Sequence, residues 1–130
     1  MENNFKNYLL LKMEETLETT ELTKKIVSIL EDHKAEEIVL MDVHKETDIA
    51  DYFIICNGTS DRMLDALANA VIDEIRDAYH IHGHQQGIAS GGWMLIDFGE
   101  IIVHIFSPDR RDYYKIEDLY QKSKILLKMQ

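Results

Sequence analysis

Tyr52-Phe53-Ile54-Ile55-Cys56-Asn57-Gly58-Thr59-Ser60-Asp61 is the stretch on which the fold turns. An unbroken apolar run of this length suits a strand buried on both faces. The glycine and the small polar residues after it close the strand. Thr59 or Ser60 can cap a helix, and Asp61 favours the positive end of its dipole. Leu64, Leu67, Ala68, Val71, Ile72 and Ile75 then recur at helical spacing, and Gly83 marks the far side of that helix.

Working upstream, Ile38-Val39-Leu40-Met41 is a second unbroken apolar run, separated from the first by a polar loop over 42–51. Leu22, Ile26, Ile29 and Leu30 fall on one helical face, with Thr20 placed to cap that helix. Residues 1–19 read as an N-terminal extension in which Phe5, Tyr8, Leu9, Leu10 and Met13 form a short amphipathic helix. Residues 20–130 read as a single domain.

Downstream, residues 93–98 and 101–106 read as two strands of a hairpin around Gly99. Pro108 stops the second, a charged and aromatic stretch covers 109–114, and a last helix is expected from Ile116 to about Leu127. The order is helix, strand, strand, helix, strand, strand, helix. This predicts an α/β (α+β) domain with a mixed β-sheet flanked by helices. The second and third strands are expected to be parallel across the crossover helix, and the hairpin antiparallel.

Composition narrows the function. The 130 residues are 45% hydrophobic, enough for one real core. Fourteen Lys and Arg stand against 24 Asp and Glu, a formal net charge of -10. Phosphate backbones repel such a chain, so little direct nucleic-acid binding is expected, while a basic protein partner is attracted. The lone Cys56 permits no intramolecular disulfide and fits a reducing compartment. No apolar stretch is long enough to span a bilayer, and the N-terminus resembles no targeting peptide, so a cytoplasmic protein is expected.

Most candidate chemistry has a plain structural alternative. His80, His82 and His84 could share a metal if extended, or simply populate a polar loop after a helix. Gly58-Thr59-Ser60 could hold phosphate at a helix N-terminus, but the rest of a phosphate loop is missing. Asp97-Phe98-Gly99 spells a kinase tripeptide without the other kinase elements. Cys56 ends an apolar strand with no activating neighbour in sequence. No catalytic, cofactor-binding or metal-ligating residue is assigned. The hairpin is more informative: Trp93, Leu95 and Asp97 share one face of their strand, and Met94, Ile96 and Phe98 the other. If the second set enters the core, Trp93 and Leu95 are offered outward as an interface anchor; if helices cover both faces, Trp93 is core.

Three stretches carry a resemblance. Residues 49–62 (Ile-Ala-Asp-Tyr-Phe-Ile-Ile-Cys-Asn-Gly-Thr-Ser-Asp-Arg), residues 92–106 (Gly-Trp-Met-Leu-Ile-Asp-Phe-Gly-Glu-Ile-Ile-Val-His-Ile-Phe) and Arg111-Asp112-Tyr113-Tyr114 resemble, in order and spacing, the ribosomal silencing factor family, RsfS or Iojap. The resemblance covers roughly residues 20 to 120. It implies a nucleotidyltransferase-like fold without enzymatic activity or cofactor, and a homodimer. It also implies binding to the large ribosomal subunit through the ribosomal protein numbered fourteen, which blocks subunit joining and represses translation when nutrients are short. Carried over by motif, the partner-binding residues are Trp93, Leu95, Asp97, Phe98, Glu100, Tyr113 and Lys115. Phe98 stands where the family has Tyr, and Glu100 where Asp is common. The alternatives are a nucleotidyltransferase-like enzyme, which needs converging carboxylates for Mg²⁺, and a dimeric metal-binding module built on the histidines.

Overall fold

The structure, a computed structural model, describes the backbone of residues 2–130 and their side chains except those of residues 2–5, 12 and 14–17, so the reading of Phe5 lies outside the described side chains. Helix α1 (Glu2–Asp32) is followed by strands β1 (Glu36–Asp42) and β2 (Tyr52–Asn57), helix α2 (Asp61–Tyr79) and a short strand β3 (His84–Gln86). A 3-10 turn (Ala89–Gly91) leads to β4 (Trp93–Asp97), β5 (Ile101–Phe106), helices α3 (Pro108–Tyr114) and α4 (Ile116–Leu119), and β6 (Lys124–Met129). The described strands form a mixed six-stranded sheet in the order β3-β4-β5-β2-β1-β6. The pair β2/β5 is parallel, and its neighbours are antiparallel.

The mixed α/β architecture, the two apolar strands, the crossover helix and the hairpin stand where the sequence places them. Of the two residues able to cap α2, Ser60 does so, its hydroxyl accepting from the Met63 N–H at 3.1 Å.

Four expectations are corrected. Thr20 is not a cap, because α1 runs through it; residues 2–32 contain no Gly or Pro to break the helix. The parallel partner of β2 is β5 rather than β4. The reason lies in the hairpin: β5 is buried along its whole length and takes the central place, while β4 alternates between buried and half-buried and sits outside it. The expected helix over 116–127 ends at Leu119. A turn closed by the Ser123 N–H on the Tyr120 carbonyl, at 2.9 Å, reverses the chain. Residues 124–129 then pair antiparallel with β1, satisfying what would otherwise be its open edge. Finally, the histidine-rich segment is not one loop: His80 terminates α2 in a left-handed conformation, and His84 opens edge strand β3.

The sheet has two unlike faces. Ile38, Ile54, Met94, Ile96, Val103 and Ile105 are sealed beneath α1 and α2, which contribute Ile26, Leu30, Leu64, Leu67 and Val71. Val39, Met41, Phe53, Ile55, Ile102 and Phe106 point the other way. There Ile116 of α4 joins the buried cluster, and Trp93, Leu95 and Tyr120 pack against it only half-buried.

Candidate functional site

The second face is built by strand alternation. Met94 and Ile96 of β4 go beneath the helices, so Trp93, Leu95 and Asp97 must face away from them. Across the hairpin Trp93 lies opposite Phe106, Leu95 opposite His104, and Asp97 opposite Ile102.

Gly92 brings α3 against this face. Its φ is +74°, and a Cβ there would lie 2.5 Å from Arg110 Cγ and 2.7 Å from Ser107 Oγ. Without a side chain, Gly92 lets its carbonyl accept from the Ser107 N–H at 2.9 Å. Ser107 in turn caps α3, accepting from the Arg110 N–H at 3.3 Å, with Pro108 in the first turn.

An aromatic row results. The Trp93 ring stacks on Phe106 with centroids 4.9 Å apart and meets Tyr114 at 4.7 Å. Tyr113 packs edge-on against Tyr114 at 5.0 Å. On the other side the Trp93 indole N–H donates to His104 Nδ1 at 3.2 Å. His104 meets Phe53 edge-to-face at 4.7 Å, and Phe53 meets Tyr120 in the same way at 4.9 Å. Trp93 is therefore neither a free anchor nor a core residue: one side of its ring is fastened to the sheet while the residue stays half-buried.

His104 is 5% exposed, and burial pushes its pKa down to about 4, so the imidazole is neutral at pH 7. With Nδ1 accepting from Trp93, the ring proton belongs on Nε2. That atom is buried and has no hydrogen-bond partner among the described residues.

The other residues expected at the site are dispersed. Asp97 Oδ1 accepts from the Gly99 N–H at 2.7 Å and shapes the β4–β5 turn. Phe98 is 8% exposed on the opposite side of the sheet, beneath the helices, with its ring against the backbone of Gly83. Strand parity sends it there, so it does not share a surface with Trp93. Glu100 is exposed in the β4–β5 turn and, with Phe98, Glu18, Thr19, Leu22 and Ile81, lines a cleft of about 210 Å³. Tyr113 is 73% exposed at the end of the aromatic row. Lys115 is exposed, ends α3 at φ +44°, and lines a cleft of about 280 Å³ with Asn57, Arg111 and Glu117. Trp93, Leu95 and Tyr113 thus belong to one face, Asp97 closes its far end, and Phe98 and Glu100 lie elsewhere.

Sequence reasoning missed the supports of this face. Arg111 Nε and Nη2 donate to the two Glu117 carboxylate oxygens at 3.1 and 3.3 Å. Its Nη1 donates to Asn57 Oδ1 at 3.0 Å and to the Glu37 carbonyl. One guanidinium thereby ties α3 to α4 and to β1 and β2. His104, a lone polar residue in an apolar strand, was the only sequence signal for the hydrogen bond beneath Trp93.

Among the described residues no group of three or more His, Cys, Asp or Glu is placed to hold a metal ion. Burial pushes the Cys56 thiol up to about 12 despite the opposing pull of Arg111, which leaves it protonated. No helix among the described residues is long and apolar enough to cross a membrane.

A family model described as "Ribosomal silencing factor during starvation" matches residues 16–129. The ribosomal silencing factor RsfS of Chromobacterium violaceum is 36% identical over 108 residues, covering 83% of this chain and 88% of that protein. The mouse protein named mitochondrial assembly of ribosomal large subunit protein 1 is 29% identical over 98 residues, covering 73% of this chain and 43% of its own length. A crystal structure of a Chromobacterium violaceum protein superimposes with a TM-score of 0.74 at 36% identity, covering 78% of this chain and 85% of that one.

Proposed function

Because the chain belongs to the ribosomal silencing factor family, we propose that it represses translation by docking its aromatic sheet face on the large ribosomal subunit. The contact is with the ribosomal protein numbered fourteen, and the bound factor obstructs joining of the small subunit. The observation that carries this reading is the half-buried Trp93, braced by Phe106 and His104 beside half-buried Leu95 on the sheet face that α1 and α2 leave open. A Trp with one side fixed and the rest accessible is the usual form of an interface hot spot.

Charge supports a protein partner over ribosomal RNA. A net charge of -10 repels phosphate and draws a basic ribosomal protein toward the factor. About 800 Å² per partner is enough for such a contact. The face offers aromatic and aliphatic surface instead of converging acids, so the mechanism needs no chemical step: occupancy itself excludes the second subunit.

Co-sedimentation with purified large subunits tests the docking. Wild type is expected to sediment with them, and Trp93→Ala to lose about 2 kcal/mol or more of binding. Urea unfolding verifies that the variant is folded. Binding by neither protein, with both folded, would remove the ribosomal assignment.

A further inference from the structure

We propose that His104 is a positioning residue for the docking face, its imidazole holding the Trp93 indole in the orientation that a partner meets. This rests on the docking function proposed above. The two side chains come from adjacent strands and are joined by the 3.2 Å hydrogen bond from the indole N–H to Nδ1. His104 is itself held in place, edge-to-face with Phe53 at 4.7 Å and with its ring plane nearly parallel to that of Phe106, at 12° and 6.2 Å between centroids. Trp93 is consequently gripped by Phe106, by Tyr114 and through its own N–H.

The polar ring is costly where it stands. With Nδ1 occupied as acceptor, the buried Nε2–H has no partner among the described residues, and an orphaned buried donor destabilises a fold. An apolar side chain would fill the same space without that penalty. What the imidazole provides in return is a fixed acceptor for Trp93. Burial keeps the ring neutral near pH 7, so the acceptor lone pair persists there. An anchor already fixed in the free protein loses less freedom on binding, which raises affinity without adding a contact.

Trp93 is the only tryptophan in the chain, so intrinsic fluorescence reports its surroundings directly. His104→Phe keeps a ring and removes the acceptor. His104→Asn returns an amide oxygen close to the position of Nδ1. Emission spectrum, anisotropy and co-sedimentation with purified large subunits are measured for each, with urea unfolding as the check on folding. His104→Phe is expected to shift the emission, lower the anisotropy and weaken binding about five- to tenfold. His104→Asn is expected to move all three back toward wild type. In a Trp93→Phe background, where there is no indole N–H, His104→Phe is expected to add no further loss of binding.

Wild-type emission and affinity in a folded His104→Phe would overturn the proposal. So would an undiminished further loss in the Trp93→Phe background, which would reduce His104 to packing. If His104→Phe does not fold, Trp93→Phe alone carries the binding test, and wild-type affinity in that variant counts against the role. If wild type does not sediment with the subunits, the docking function fails instead; the fluorescence pair still decides the positioning, with unchanged emission overturning it.

Discussion

The sheet presents one face to α1 and α2 and the other to α3 and α4, and the two are finished differently. On the first, aliphatic side chains from strands and helices are sealed from water. On the second, the short helix α4 contributes Ile116 to the buried cluster, and an aromatic row that includes Tyr114 of α3 fills much of the rest. The contrast separates two uses of apolar surface. The aliphatic face supplies most of the stability, by non-directional burial. The aromatic face uses stacking and a specific hydrogen bond to hold large side chains still while leaving part of them exposed, which a binding surface requires and a core does not.

Substitution should separate the faces. Leu67 is fully buried on the helix side. Leu67→Ala is expected to lower stability by about 2 to 5 kcal/mol in urea unfolding, while the folded fraction binds large subunits with unchanged affinity. A matching loss of affinity would show that the faces are not independent.

Acid should act through the aromatic face. An unfolded His104 titrates at its ordinary value near 6.5, and the folded one near 4. Between those values the unfolded chain binds more protons than the folded one. The contribution is complete above about pH 6.5 and lost as the pH falls toward about 4, roughly 3 kcal/mol in all. Comparing unfolding free energies of wild type and His104→Phe from pH 7 to 4.5 checks this. The wild-type curve should fall more steeply, and parallel curves would contradict the burial of a neutral imidazole.

The smallest change is expected at the rim. Tyr113→Ala removes an exposed ring and should alter stability by no more than about 0.5 kcal/mol. Any effect on subunit binding should be smaller than that of Trp93→Ala, as for a rim residue beside an anchor. A larger effect would move the centre of the docking face onto α3.

Much of this division was legible before any coordinates. Period-two alternation over 93–98 separates Trp93, Leu95 and Asp97 from Met94, Ile96 and Phe98, and the structure keeps that separation. Motif correspondence alone put Phe98 beside Trp93; parity put it on the opposite face, where the structure holds it because pleating fixes side-chain direction, and the packing of α1 and α2 makes that face the core. The last strand was harder to read. Lys124-Ile125-Leu126-Leu127-Lys128-Met129 suits a helix end as well as an edge strand, and the choice depends on the open edge of β1, more than eighty residues earlier. Arg111 was illegible for the same reason. Its links to Glu37 and Asn57 span 74 and 54 residues, and no local pattern encodes such contacts.

Subunit joining tests the central claim most directly. Purified large and small subunits are mixed, and the joined fraction is measured by light scattering against increasing wild-type protein or folded Trp93→Ala. The account predicts that joining falls as wild type occupies the large subunit, and that Trp93→Ala leaves it near the control at the same concentrations. Undiminished joining by large subunits saturated with wild type, or equal inhibition by the two proteins, would contradict it.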